Sequence, residues 1–291
     1  MNHVWCNILK VVIPAAGLGT RMLPATKEQP KEMLPIFSRT EKNNLCLKPI
    51  IQLIFEQLYS FNLRQFCFII GRGKRALEDY FTPDHNNINQ LKLRGKDDIA
   101  LELQLLDEKI RSSKLVWINQ PEQKGFGDAV LQSEVFISGE DFLVHAGDTY
   151  IGSNGSHLER LLKAFKKFEA DAAFAVRVVE DPRQFGVIRS EKLESNIFKV
   201  IEAVEKPEKP PTNYAIMPIY IFKSKIFNFL RQVKPDRKGE IQLTDGIQGI
   251  INAGLKVIAV NLKKEELWLD IGTPQLYWAA LKTSYNWNHH K

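Results

Sequence analysis

The chain has 291 residues, 44% of them hydrophobic and 25% charged, with a formal net charge of +6. Such a composition suits one large α/β domain or two small ones, and no apolar run approaches the roughly 20 residues that cross a bilayer. The excess positive charge suits phosphorylated ligands, but the basic residues are interleaved with acidic ones (KGEIQLTD, KKEELWLD) and form no stripe, which argues against nucleic acid.

The start, MNHVWCNILK, lacks the apolar core and cleavage site of a secretory signal, so a cytoplasmic protein is expected. Residues 10–16 (KVVIPAA) read as a buried strand, and 49–61 as a helix with Ile50, Leu53, Ile54, Leu58 and Phe61 on one face. RQFCFIIG is a second buried strand, with Cys67 in the core; strand, helix, strand implies a right-handed parallel crossover. Cys6, Cys46 and Cys67 lie far apart with no CxxC and no clustered histidines, which excludes a disulfide framework and a zinc site.

A short helix follows at 75–81, then a polar stretch, 84–113, with a helical middle, and KLVWINQ as a third strand. A helix runs from about Asp128 to Phe136, and DFLVHAGD is a fourth strand ending in Asp148, with His145 a core or rim residue of no chemical role. Leu158, Leu161, Leu162, Phe165 and Phe168 mark an amphipathic helix over 156–169, before the strand DAAFAVRVV. From Phe185 the strands shorten (FGVI, FKVIEAVE, NYAIMPIYIF). Helices follow near 224–232 and 242–252, then a last strand pair, KVIAVNL and ELWLDIG, and a closing helix from Thr273. The alternation predicts an α/β fold, Rossmann-like, with a mixed, mostly parallel central sheet and helices on both faces. A single domain over 1–291 is expected, with a nucleotide-binding half at about 10–180 and a substrate-binding half at about 181–291.

Gly17 and Gly19 follow the first strand, where open α/β sheets place ligands. A dinucleotide fingerprint needs a third glycine where Met22 stands, and no GxxxxGK[ST] string occurs. The glycines let a nucleotide approach the backbone. Pro24, Pro30 and Pro35 stiffen the next loop, so that Arg21 presents a planar fork to phosphate oxygens and Lys31 a point charge, while Lys27 has no required role. On the residues alone, this is either a phosphate-seating loop or a plain turn followed by unrelated basic residues. GRGKR, residues 71–75, reads as a turn with an exposed helix start. Asp148 and Asp270 each end a strand; alone each reads as a cap or turn residue, and together with the cationic loop they make a candidate Mg²⁺ site. In VEKP, Glu205 and Lys206 are strand neighbours with side chains on opposite faces, either a surface pair or one group for hydroxyls and one for a phosphate.

GLGTRMLPATKEQPKEMLP resembles the signature loop of the sugar-nucleotide pyrophosphorylase family, closely that of the prokaryotic-type UTP-glucose-1-phosphate uridylyltransferases. INQPEQKGFGDAV, HAGD, FGVI, VEKP, GEIQLTD and LDIGTP are similar to further family segments in the same order, over roughly residues 10–282. Two departures stand out: IFSRTEKNNLCLKPII is about ten residues longer than the usual connection, and HAGD replaces a Leu-Pro-Asp-like segment while keeping Asp148. The length of the connection before INQ is similar to the uridylyltransferases, not the related thymidylyltransferases. The rival readings are a thymidylyltransferase or dual UTP/dTTP enzyme and a non-catalytic nucleotide-sugar-binding subunit. The resemblance implies a nucleotide-diphospho-sugar transferase fold and Mg²⁺-dependent synthesis of UDP-glucose and pyrophosphate from UTP and glucose 1-phosphate. It also implies a homo-oligomer, dimer or tetramer. Carried onto this sequence, it assigns Arg21 and Lys31 to catalysis. Ala15, Ala16, Gly17, Gly19, Gln120 and Gly125 go to the nucleotide, Gly186, Glu205 and Lys206 to the sugar phosphate, and Asp148 and Asp270 to the metal.

Overall fold

The computed structural model describes residues 9–289, so the expectations about Cys6 and the other residues at 1–8 lie outside the described residues. Strand β1 (Lys10–Pro14) is followed by a loop with two 3₁₀ turns and a hairpin, β2 (Pro35–Arg39) and β3 (Leu45–Pro49). Next come α1 (Ile50–Ser60), β4 (Gln65–Ile70), α2 (Arg75–Tyr80), α3 (His85–Leu93), α4 (Asp97–Arg111) and β5 (Lys114–Asn119). The middle of the chain holds α5 (Phe126–Gln132), α6 (Glu134–Ile137), β6 (Phe142–His145), β7 (Thr149–Gly152), α7 (Ser156–Lys167) and β8 (Ala172–Val178). It closes with β9 (Gly186–Glu194), β10 (Ile197–Glu205), β11 (Tyr214–Phe222), α8 (Ile226–Leu230), α9 (Leu243–Asn252), β12 (Val257–Asn261), β13 (Leu267–Asp270) and α10 (Pro274–His289).

Nine strands form one sheet in the order β5-β4-β1-β6-β11-β8-β12-β10-β9. β5, β4, β1 and β6 run parallel. β11 and β10 run antiparallel to their neighbours, and β12 is parallel to β8. This is the expected mixed, mostly parallel sheet. The chain leaves β1 on one side for β4 and β5 and returns on the other with β6. The carboxyl end of β1 is therefore a topological switch point, where a crevice opens for ligands.

Alternation along the strands splits the core in two. Val11 and Ile13 join Phe66, Phe68 and Leu143 on one face, where Ile54 of α1 and Leu161 and Phe165 of α7 cover them. Val12 joins Cys67, Phe142 and Val144 on the other, under Val130 of α5, Phe227 of α8 and Ile247 of α9. Each fully buried large side chain contributes about 1.5–3 kcal/mol relative to exposure. A one-residue slip of β1 would exchange the two faces, so its register is strongly held. Burial also pushes the Cys67 thiol up to about 12, as befits a core residue. Lys10 is buried with partners: its amine donates to the carbonyls of Phe136 (2.8 Å) and Ile137 (3.1 Å) at the end of α6 and pairs with Glu140 at 2.7 Å.

Three local expectations change. The strand DFLVHAGD stops at His145, and β7 leaves the main sheet to pair antiparallel with β13, setting Thr149 opposite Asp270. KVIAVNL and ELWLDIG consequently do not pair; β12 enters the main sheet between β8 and β10. The helix expected from Asp128 to Phe136 is two pieces, α5 and α6, divided at Ser133, whose hydroxyl turns back to the Val130 carbonyl at 2.6 Å. The long connection after the loop is the β2–β3 hairpin, docked on α10 through Phe37 N to Ser284 Oγ (3.2 Å) and Asn288 Nδ2 to Phe37 O (3.0 Å). Among the described residues no helix is long and apolar enough to cross a membrane.

His145 is a core residue, as expected, and it shares its fate with His157 of α7: both are buried and both leave Nε2 without a hydrogen-bond partner. Burial pushes His145 down to about 4 and, helped by the neighbouring His145, His157 down to about 3. Below about pH 6.5 the unfolded chain binds protons that the folded one refuses, so stability falls with pH by about 1.4 kcal/mol per unit per histidine. Urea unfolding at about pH 7.5 and about pH 5 measures the loss, and His157→Gln is expected to make the fall shallower.

Candidate active site

Three loops meet at the carboxyl ends of the central strands. Ala15 N donates to Ile69 O at 2.7 Å, extending the β1–β4 ladder by one residue, and Ala15 and Ala16 are buried. The chain then turns at Gly19, with φ of 65°; Thr26 Oγ1 donates to its carbonyl at 2.8 Å, closing the loop on itself. Gly71, after β4, lies so close that a Cβ there would stand 3.1 Å from Ala16 O and from Gln123 Nε2, so the loops after β1, β4 and β5 abut.

GRGKR departs from its expected role. Lys74 is only 7% exposed, and its amine pairs at 2.8 Å with Glu32, which is 1% exposed. The start of α2 is thus exposed at Arg75 and buried at Lys74, because the loop after β1 folds over it.

Next to Glu32, Lys31 pairs with Asp148 just past β6. The register of β7 with β13 brings Asp270 beside Asp148, and Ile271 N donates to Asp148 O at 3.3 Å. Asp270 Oδ1 accepts from Gly272 N at 2.6 Å, and a Cβ at Gly272 would stand 3.3 Å from Arg21 Nη2. Lys31 also borders Gly17, where a Cβ would be 3.8 Å from its amine. Arg21, Lys31, Asp148 and Asp270 therefore gather under the glycine loop, whereas Lys27 stays exposed.

The electrostatics of this group are unbalanced. Burial pushes Asp148 up, but the charge and hydrogen bond of Lys31 outweigh it and hold the carboxyl below its usual range. Asp270, by contrast, is raised to about 6, first by burial and then by the charge of Asp148. One lysine neutralises one carboxylate, and the second remains a crowded hard-oxygen donor. Two adjacent carboxylates, only one of them neutralised by a lysine, fit a divalent cation that takes oxygen ligands.

A second group forms around Gln120, which is 3% exposed. Its Nε2 donates to Gly125 O at 3.1 Å and to Asp128 Oδ2 at 2.6 Å. Gly125 has φ of 94°, and a Cβ there would meet Ile241 O at 2.8 Å, so only glycine fits against the 240–245 segment. Ile241 N donates to Lys124 O at 2.7 Å and Gly127 N to Ile241 O at 2.9 Å, which locks the two segments together.

The same segment reaches a third group. Thr244 Oγ1 donates to Glu205 Oε2 at 2.6 Å, and Glu205 lies opposite Gly186 in the β9–β10 ladder. A Cβ at Gly186 would crowd Thr244 Oγ1 at 2.7 Å and Glu205 Oε2 at 3.1 Å. Glu205 and Lys206 do not point to opposite faces: β10 ends at Glu205, and Lys206 takes a left-handed conformation (φ 42°) that returns its amine to 2.8 Å from Glu205 Oε1. Strand alternation ceases to apply once the strand has ended, and a lysine held at positive φ is backbone strain of the kind found at working sites.

The sequence assigns no site role to Thr244, to Asp128 or to the Glu32–Lys74 pair. Nothing local marks them; each acquires its meaning from a partner at least eight positions away.

A nucleotidyl transferase family model matches residues 10–286. A UTP-glucose-1-phosphate uridylyltransferase of Staphylococcus saprophyticus is 35% identical over 269 residues, 91% of this chain and 88% of that one. The crystal structure of an apo UDP-glucose pyrophosphorylase aligns with a TM-score of 0.85 at 32% identity, over 96% of this chain and 98% of that one. A UDP-glucose pyrophosphorylase complexed with UDP-glucose aligns at 0.80 and 31% identity, over 98% of this chain and 100% of the other.

Breaking the Glu32–Lys74 pair from one side leaves a buried charge alone. Lys74→Met is expected to cost roughly 3 kcal/mol in urea unfolding, and adding Glu32→Leu is expected to restore most of that loss.

Proposed function

The chain belongs to the nucleotidyl transferase family, as an enzyme that transfers UMP from UTP to glucose 1-phosphate, and we propose the part each site residue takes in that reaction. An oxygen of the sugar phosphate forms a bond to the α-phosphorus of UTP while the bond from that phosphorus to the β-phosphate oxygen breaks. UDP-glucose forms and pyrophosphate leaves. A phosphomonoester has a second pKa near 6, so the attacking group is already a dianion at neutral pH and needs no general base.

The barrier is the approach of two anions, and the protein lowers it by positioning and by charge. Arg21 and Lys31 hold the triphosphate oxygens and stabilise the pyrophosphate as it departs, while Gly17 and Gly19 bring backbone N–H groups to the phosphates. Ala15, Ala16 and Gly125 lie against the base, and Gln120 hydrogen-bonds its edge. Lys206 draws the sugar phosphate into line, and Glu205, held by Thr244, binds glucose hydroxyls with the Gly186 backbone. Asp148 and Asp270 would hold Mg²⁺, which when bound would supply positive charge to offset the negative charge of the phosphates.

The observation that carries this assignment is the gathering of Lys31, Asp148 and a raised Asp270 at the switch point of the sheet. The proposal extends to a single nucleotidyltransferase domain with the nucleotide handled by about 10–180 and the sugar by about 181–291. It also places a dimer or tetramer in the cytoplasm, acting on small molecules and on neither nucleic acid nor membrane.

Pyrophosphate release from UTP and glucose 1-phosphate is expected to stop with a chelator and return with Mg²⁺. Asp148→Ala and Asp270→Ala are each expected to lower turnover by about 100-fold or more, with the thermal melt retained. Binding of UDP-glucose without any pyrophosphate release by the wild-type protein would sink the assignment.

A further inference from the structure

Gln120 has a buried neighbour that the mechanism above leaves unused. Asp128, in α5, is 7% exposed; its Oδ2 accepts from Gln120 Nε2 at 2.6 Å and its Oδ1 from Gln132 Nε2 at 3.3 Å. The carbonyl of Gly125 accepts from the same Gln120 nitrogen at 3.1 Å. A carboxamide nitrogen carries two hydrogens, and these two acceptors take both. Turning the amide over would set Oε1 against a carboxylate and a carbonyl, three acceptors with no hydrogen among them.

We propose that Asp128 sets the pyrimidine preference of the site by locking the Gln120 carboxamide with Oε1 as the only face it can offer a base. A fixed acceptor matches the N3–H of uracil and opposes the N3 lone pair of cytosine. Thymine carries the same N3–H, so the lock does not separate it from uracil. Asp128 touches no substrate and is a positioning residue; its role rests on Gln120 being the base-reading residue.

The test is initial rates with UTP, CTP and dTTP, each with glucose 1-phosphate, for the wild type and for Asp128→Ala, Asp128→Asn and Gln120→Ala. In Asp128→Ala the ratio of kcat/KM for UTP over CTP is expected to fall about tenfold, through KM and not kcat, with the UTP to dTTP ratio held within about twofold. Asp128→Asn keeps an acceptor and is expected to recover most of the ratio. Asp128→Ser, too short to reach Gln120, reports the same ratio should the alanine variant unfold. Equal losses on UTP and CTP overturn the proposal, as does a ratio that holds in Asp128→Ala and Asp128→Ser but falls in Gln120→Ala. A ratio that also holds in Gln120→Ala removes Gln120 from base reading, and Asp128 with it.

Discussion

Glu32 is the point on which the arrangement of the loops at the carboxyl ends of the strands depends. Its carboxylate is buried against the amine of Lys74, which ties the loop after β1 to the start of α2 after β4. Its stem touches a third loop: a Cβ on Gly147 would stand 3.2 Å from Glu32 Cγ and 3.1 Å from Ile51 Cδ1, so glycine is what lets the end of β6 come this close. Burial outweighs the charges of Lys74 and Lys31 and holds the Glu32 carboxyl above its usual range, so the pair adds little net stability. The gain is in geometry. With Glu32 pinned from two sides, the adjacent Lys31 is aimed at Asp148, and the cation–carboxylate group is held in place.

A second constraint links the Gln120 group to the Glu205 group. Residues 240–245 bond to the Lys124–Gly127 turn through Ile241 and to Glu205 through Thr244. One short segment therefore sets both the turn that holds the Gln120 amide and the carboxylate beside Gly186. A shift in this segment moves the Gln120 group and the Glu205 group together. Gly125, Gly127 and Gly186 are the places where this closeness leaves no room for a side chain.

Much of this was legible along the chain. The unbroken apolar runs in KVVIP and QFCFII announce strands buried on both faces, and the leucines and phenylalanines of 156–169 announce α7. Two glycines after a buried strand, followed by spaced cations and prolines, mark the loop after β1 as a candidate site. Less legible were elements with weak local patterns. β7 is four residues long and pairs with β13, more than 100 positions away. The β2–β3 hairpin carries mixed polar and apolar residues, and it holds its place by docking on α10.

By itself the sequence determined the α/β architecture, the strand that leads into the glycine loop, and the residue types available for handling two phosphates. These follow from periodicity, backbone freedom and charge, all of which act over a few neighbouring positions. Only the tertiary structure decided that Lys74 of GRGKR is a buried anchor, that Lys206 folds back on Glu205, and that Asp128 fixes the Gln120 amide. A buried charge or carboxamide takes its meaning from the partner that satisfies it, and that partner is chosen by the packing of distant segments.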